Sequence, residues 1–160
     1  VRRQLQPEGY FPAAGLIRRL AAMFYDFLLC LALVMVLTLL YQQGLLRLIH
    51  GPEQLLALSE AGALDRDPWL ASMLLLSLFG YLGWMWAFKG QTLGMQAWRL
   101  RLEDEQGRAI TLNQALIRFL VAPLGLLCGG LGMLWILWDP YSRSWQDIAS
   151  GSRIVRLPKP

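Results

Sequence analysis

Residues 20–41 read LAAMFYDFLLCLALVMVLTLLY, and only Asp26 and Thr38 interrupt their apolar character. A helix rising 1.5 Å per residue over such a stretch reaches across a hydrocarbon layer of about 30 Å. The run therefore predicts a first transmembrane helix over about 16–42. Arg2, Arg3, Arg18 and Arg19 precede it, as basic residues precede the apolar core of a signal peptide. The run is longer than such a core and no small-x-small cleavage site follows, so the helix is expected to stay in the mature protein.

The rest of the chain carries the same character. Of its 160 residues 56% are hydrophobic and 16% charged, too apolar for a soluble domain of this size, so lipid must replace the missing polar surface. This excludes a secreted disulfide scaffold, a disordered tail and a conventional soluble enzyme. The net charge is +4, but the basic residues flank apolar runs instead of forming a stripe interleaved with aromatics, so no nucleic-acid partner is expected. Cys30 and Cys128 both lie within apolar runs and are expected to be small buried hydrophobes; with the single His50, placed in a loop, they make no redox or metal motif. No cofactor and no metal are expected.

A polar interval, residues 42–68, separates the first run from the second and contains an amphipathic stretch, Glu53 to Ala61, that reads as a short surface helix. The second run, about 68–88, is uncharged from Trp69 to Phe88, with Trp69 at one end and Trp84 and Trp86 at the other. Such placement suits the headgroup belts of a second transmembrane helix. Gly80, Gly83 and Ser77 on this helix read as ordinary packing positions. Beyond it, Gly90-Gln91-Thr92-Leu93-Gly94 lacks the Lys-Ser/Thr of a phosphate loop, since Met95-Gln96 stands there, and reads as a tight turn. Trp98 to Glu103 alternates apolar with charged residues, which predicts a short half-buried strand leading into a hairpin turn at Asp104 to Gly107. Ser152 to Arg156 is similarly strand-like.

The third apolar region, about 112–138, contains Arg118 and is punctuated by Pro123, Gly125, Gly129, Gly130 and Gly132. It reads as one kinked span or as a hairpin of two shorter helices. Lys and Arg cluster before the first helix, between Lys89 and Arg108, and in the C-terminal tail (Arg143, Arg153, Arg156, Lys159), while the loop after the first helix holds Arg47 and Arg66. The positive-inside rule then puts both termini in the cytoplasm and favours the hairpin. The expected fold is an all-α integral membrane protein of three to four helical segments with a small cytoplasmic hairpin-like element, in one domain over 1–160.

Ionisable groups in or beside hydrocarbon are the informative ones, because each costs at least about 2.5–3.5 kcal/mol at the bilayer centre unless paired, hydrated or neutralised. Arg19 and Asp26 lie seven residues apart on one helix face, but both side chains lean toward the N-terminus, so a direct pair is not expected. Each should find a partner on another segment, with Arg118, Asp139 and Asp147 available. Arg118 is expected to be buried beside Asp26, the alternative being the basic face of an interfacial helix; Asp147 is expected to pair with Arg19 at the cytoplasmic rim.

Three ordered motifs carry a family resemblance: Gly15 to Asp26, then Lys89-Gly90-Gln91-Thr92-Leu93-Gly94-Met95, then Asp139-Pro140 with Trp145-Gln146-Asp147 through Val155. Together they resemble the RDD family of small bacterial membrane proteins, named for one arginine and two aspartates. The resemblance matches Arg19, Asp26 and Asp147 to those three. It departs at Gln146, where histidine is frequent, and at Ser152, where threonine is. A His-Asp proton relay is thus not available to this chain in that form.

The resemblance implies the bacterial cytoplasmic membrane and transport of unknown ligands, with cation/proton antiport in some members. Two functions follow as expectations. In a small transporter or ion-coupled permease component, Asp26 carries the ion, Arg19 and Arg118 tune its affinity, and Asp147 acts as a cytoplasmic gate or second carboxylate. In a membrane scaffold or accessory subunit, the same charges hold helices in register. A chain this small is expected to need a homo-oligomer or a membrane partner subunit for transport. No nucleophile-base-orienter set is present, so enzyme activity is not expected.

Overall fold

The computed structural model describes residues 3–158, so that Arg2 and Lys159, counted above among the basic flanks, lie outside the described residues. The chain is mostly helical. Its elements are α1 (Leu16–Leu39), α2 (Arg47–His50), α3 (Pro52–Glu60), α4 (Pro68–Trp84), α5 (Leu93–Trp98), β1 (Leu100–Asp104), α6 (Leu112–Leu127), α7 (Leu131–Leu134), α8 (Trp145–Ser150) and β2 (Ser152–Arg156). Wide π-helical turns continue α1 over Leu40–Leu46 and α4 over Met85–Lys89, and a 3-10 turn at Trp135–Leu137 extends α7.

Two helices are long and apolar enough to cross a membrane, Leu16–His50 and Pro68–Lys89. A third such segment results if the bent pair Leu112–Leu127 and Leu131–Leu137, which turns through 105°, counts as one. The region is thus two shorter helices broken at 128–130, and seven residues of helix rise only about 10 Å, too little for the second arm to cross alone. The outward faces explain why lipid is required. Phe24, Phe27, Met35, Val36 and Leu39 on α1, and Leu75 and Leu76 on α4, are all more than half exposed. Helix faces this apolar are not left to water by a soluble monomer.

The first helix continues past the expected end at 42, because Gln42, Gln43 and Gly44 are absorbed into the π turn, and it stops only at Gly51-Pro52. His50 is accordingly the last residue of a helical turn, not part of a loop. Cys30 is half-buried and Cys128 exposed, contrary to the expectation that both are buried. Cys128 closes α6 at the turn into Gly129-Gly130, where no element covers it.

The chain divides into two compact units, each described by itself: residues up to Phe27 together with Phe79 onward, and Leu28–Leu78. In the second, Asp67 accepts the Tyr41 hydroxyl at 2.7 Å and the Trp69 amide at 3.0 Å, which fixes the start of α4. The expected surface helix is α3.

The first unit holds the sheet and the charged groups. β1 and β2 pair antiparallel, with Leu102 opposite Ile154 and Glu103 opposite Arg153. They do not form a hairpin: the turn at Asp104–Gly107 delivers Arg108 to an isolated bridge with Gln4, and the partner strand arrives some fifty residues later. The strand starts at Leu100 because Trp98 still belongs to α5. Nor is it half-buried. Arg101 and Glu103 are 2% and 0% exposed, since the N-terminal segment crosses their face and the Pro7 carbonyl accepts Arg101 Nη1 at 2.7 Å. Glu103 takes both Arg101 (2.6 Å) and Arg153 (2.7 Å), which satisfies its buried charge.

The apolar core of this unit is Ala14, Ala22, Met95, Leu100, Leu102, Ile110, Ala115 and Ile154, with Trp86 and Trp98 against it. Gly125 and Gly132 bring the arms of the bent pair into backbone contact: a Cβ at Gly132 would lie 2.6 Å from the Gly125 Cα. α6 begins with a capping box, in which the Thr111 hydroxyl accepts the Gln114 amide and the Gln114 side chain accepts the Thr111 amide at 2.9 Å. The same Gln114 donates to the Ser150 carbonyl at 2.9 Å, tying α6 to α8. Thr111→Ala is expected to cost about 1 kcal/mol, the usual loss of a helix cap. Thermal unfolding in detergent reads this as a lowered midpoint, and an unchanged midpoint contradicts it.

Candidate functional site: a buried Arg-Asp-Arg cluster

Four segments of the first unit converge on Asp147. Trp145–Ser150 is a single turn and a half of helix, and Asp147 at its third position accepts the Ser144 amide at 3.3 Å, so its carboxylate is aimed back at the start of α8. Arg19, in the first turn of α1, donates Nη1 to Asp147 Oδ2 at 2.6 Å and Nη2 to the Ser142 carbonyl at 3.0 Å. Arg118, two turns into α6, donates Nη1 to the other oxygen, Oδ1, and to the Ser152 hydroxyl at 2.9 Å. Its guanidinium also lies over the Trp86 ring, 5.6 Å from the centroid.

The three side chains are 2%, 3% and 0% exposed for Arg19, Arg118 and Asp147. Two guanidiniums against one carboxylate leave a net positive charge. For Asp147, burial acts to raise the pKa, but the combined pull of Arg118 and Arg19 outweighs it and holds the carboxyl below its ordinary value. The group is therefore locked as an anion near neutral pH. Charge-assisted bonds of this kind are strong only when both partners are shut off from water, as they are here.

Asp26 lies elsewhere. Its Oδ2 accepts the Thr92 hydroxyl at 2.5 Å and its Oδ1 the Gly94 amide at 2.9 Å. Thr92 in turn accepts the Met95 amide and caps α5. The Gly90–Gly94 stretch is thus more than a turn out of the second helix: it starts a short helix that docks on α1. Only glycine permits this approach, because a Cβ at position 94 would lie 2.2 Å from the Ala22 carbonyl oxygen. Among the described residues Asp26 has no cationic partner. The expected Asp26–Arg118 contact is not made, since α6 packs on α8 and turns Arg118 to Asp147 instead.

Asp139 pairs locally with Arg143 at 3.0 Å, outside the cluster. Hydrogen bonding from Arg143 holds the Asp139 carboxyl below its usual range. Gln146, at the position where histidine is frequent, is buried and donates to Met133 Sδ at 3.2 Å, pointing away from Asp147. Thr92, Gly94 and Ser152 were not anticipated as participants. The Thr-x-Gly spacing after a helix was the available signal for the first two, and Ser152 had only its hydroxyl to recommend it.

Among the described residues no group of three or more His, Cys, Asp or Glu is arranged to hold a metal ion. No significant match to a curated protein or to a solved structure was found. The RDD family matches residues 13–151, most of the chain, including Arg19, Arg118 and Asp147 of the cluster and Asp26, Thr92 and Gly94 of the second contact. The chain belongs to the RDD family.

Proposed function

We propose that this membrane protein is a small transporter or the ion-coupled component of a permease, in which Asp26 is the carboxylate that changes charge and the separate Arg19–Asp147–Arg118 cluster is a fixed clamp between helices. The observation that carries the reading is the contrast between the two aspartates. Asp147 is saturated by two guanidiniums, whereas Asp26, within a helix long enough to cross a membrane, is bonded among the described residues to the neutral donors of Thr92 and Gly94. A carboxylate without a fixed cation is free to take up a proton or a small cation, and its charge can follow occupancy. Asp147 is no longer assigned a gating role, because opening it leaves two buried guanidiniums unmatched.

The protein acts in the bacterial cytoplasmic membrane, with both termini in the cytoplasm, and as a homo-oligomer or with a membrane partner subunit, since two or three membrane-length segments enclose no pathway. It carries out no covalent chemistry. The test is cation and proton flux in proteoliposomes of the purified chain against Asp26→Asn. Flux that falls to background in the variant, with unfolding unchanged, supports transport. Flux that is absent from both, or equal in both, supports the second reading, a membrane scaffold or accessory subunit, which the fully engaged Asp147 favours.

A further inference from the structure

Beside the cluster lies a cavity of about 500 Å³ whose wall includes Ser142, Arg143, Ser152 and Arg153. We propose that it binds a phosphate group, supplied either by the head group of an anionic lipid or by a small free phosphate. The inference goes beyond the transport reading and does not depend on it.

The two arginines of the wall are presented as a phosphate requires. Arg143 engages Asp139 through Nε (3.0 Å) and Nη2 (3.4 Å), and Arg153 engages Glu103 through Nε (3.0 Å) and Nη2 (2.7 Å). Each carboxylate thus orients one edge of a guanidinium, and Nη1 of each has no hydrogen bond among the described residues. The flat faces are held too: Arg143 lies over Tyr141 (5.1 Å) and Arg153 over Tyr10 (4.9 Å), and both tyrosines line the cavity. Planar, pre-oriented guanidiniums with a free edge are the side chains best suited to phosphate oxygens.

The charge behind the wall acts in the same sense. Ser142 and Ser152 are the residues that accept from Arg19 and Arg118, so the cluster sits directly behind the lining. In the cluster two guanidiniums, Arg19 and Arg118, face the single carboxylate of Asp147, which leaves one positive charge without a match behind the wall. Uncompensated positive charge is costly in an apolar setting, and a nearby anion offsets it. Glu8 lines an adjoining cavity, which shares Tyr10, Glu105 and Arg153 with this one. Tyr141, which lines the cavity, is 71% exposed, and Leu137 and Trp138, just before it in the chain, are each 65% exposed, aromatic and apolar residues of the kind found where acyl chains meet head groups.

The full chain is reconstituted in nanodiscs of phosphatidylcholine alone and its unfolding midpoint followed while inorganic phosphate is added. A second set of discs contains phosphatidic acid, and lipid retention is read by native mass spectrometry. A saturable rise in midpoint with inorganic phosphate supports the site with a free phosphate as its ligand. A rise confined to the phosphatidic acid discs, with that lipid retained, supports it with a lipid head group. Arg143→Gln with Arg153→Gln is expected to weaken binding by at least about tenfold through loss of charge-assisted bonds. Glu105→Gln, an exposed loop change that removes the carboxylate lining the cavity, is expected to tighten it. Neither arm showing binding, chloride acting as strongly as phosphate, or affinity indifferent to both sets of substitutions would overturn the proposal.

Discussion

Asp147→Asn is expected to cost about 3–5 kcal/mol, a substantial fraction of the stability of a domain of this size. The reason is not the loss of two attractive contacts as such. Arg19 and Arg118 are 2% and 3% exposed, and without the carboxylate both guanidiniums remain buried with nothing to offset their charge. Each variant that removes one arginine is expected to cost less, since the other still pairs with Asp147. Acid titration carries the same information. The folded-state pKa of Asp147 is depressed, so its contribution is fully present above the ordinary aspartate range, near 3.9, and is lost as pH falls through the folded value. The unfolding midpoint in detergent should therefore hold steady from neutral pH to about 5 and fall below it, and Asp147→Asn should flatten that fall.

The second large effect is expected at Gly94. An added Cβ meets the Ala22 carbonyl oxygen at 2.2 Å and the Asp26 carboxyl at 2.9 Å, and the first of these is backbone, which cannot swing aside. Gly94→Ala should force α5 off α1, break the Gly94–Asp26 hydrogen bond, and cost about 1–3 kcal/mol as an overpacking change. Proteoliposome flux should fall with it, because Asp26 loses one of its two donors. A Gly94→Ala protein with native unfolding and native flux is incompatible with the docking described. Gly80, where an added Cβ would meet nothing within 4 Å, supplies the control: Gly80→Ala should leave both readouts unchanged.

What the sequence made legible follows from where the signal is stored. The runs at 20–41 and 69–88 were readable because burial in lipid is a property of composition over twenty residues, indifferent to detail. The pairing of Arg19 with Asp147 was readable because two opposite charges beside hydrocarbon have few alternatives. The partner of Arg118 was not, since it depends on which face of α6 meets α8, and that is decided by small residues whose spacing carries little periodic signal. Asp26 was misread for a different reason: one of its partners is a backbone amide, which every residue but proline possesses and no sequence pattern advertises. β1 shows the same limit. Alternating Arg101 and Glu103 read as a solvated face, and only the N-terminal segment crossing over them turns it into a buried one. The continuation of α1 to His50 was hidden by Gln42, Gln43 and Gly44, which suit a loop but are taken up by a π turn.

The claim on which the rest depends is that Asp147 binds Arg118 and Arg19 directly and away from water. A double-mutant cycle on Arg118→Gln and Asp147→Asn, read as unfolding free energy of the full chain in one detergent, tests it most directly. The account predicts strong coupling, with the double variant no less stable than Asp147→Asn alone because the orphaned guanidinium of Arg118 has been removed together with its partner's charge. Costs that simply add would contradict it.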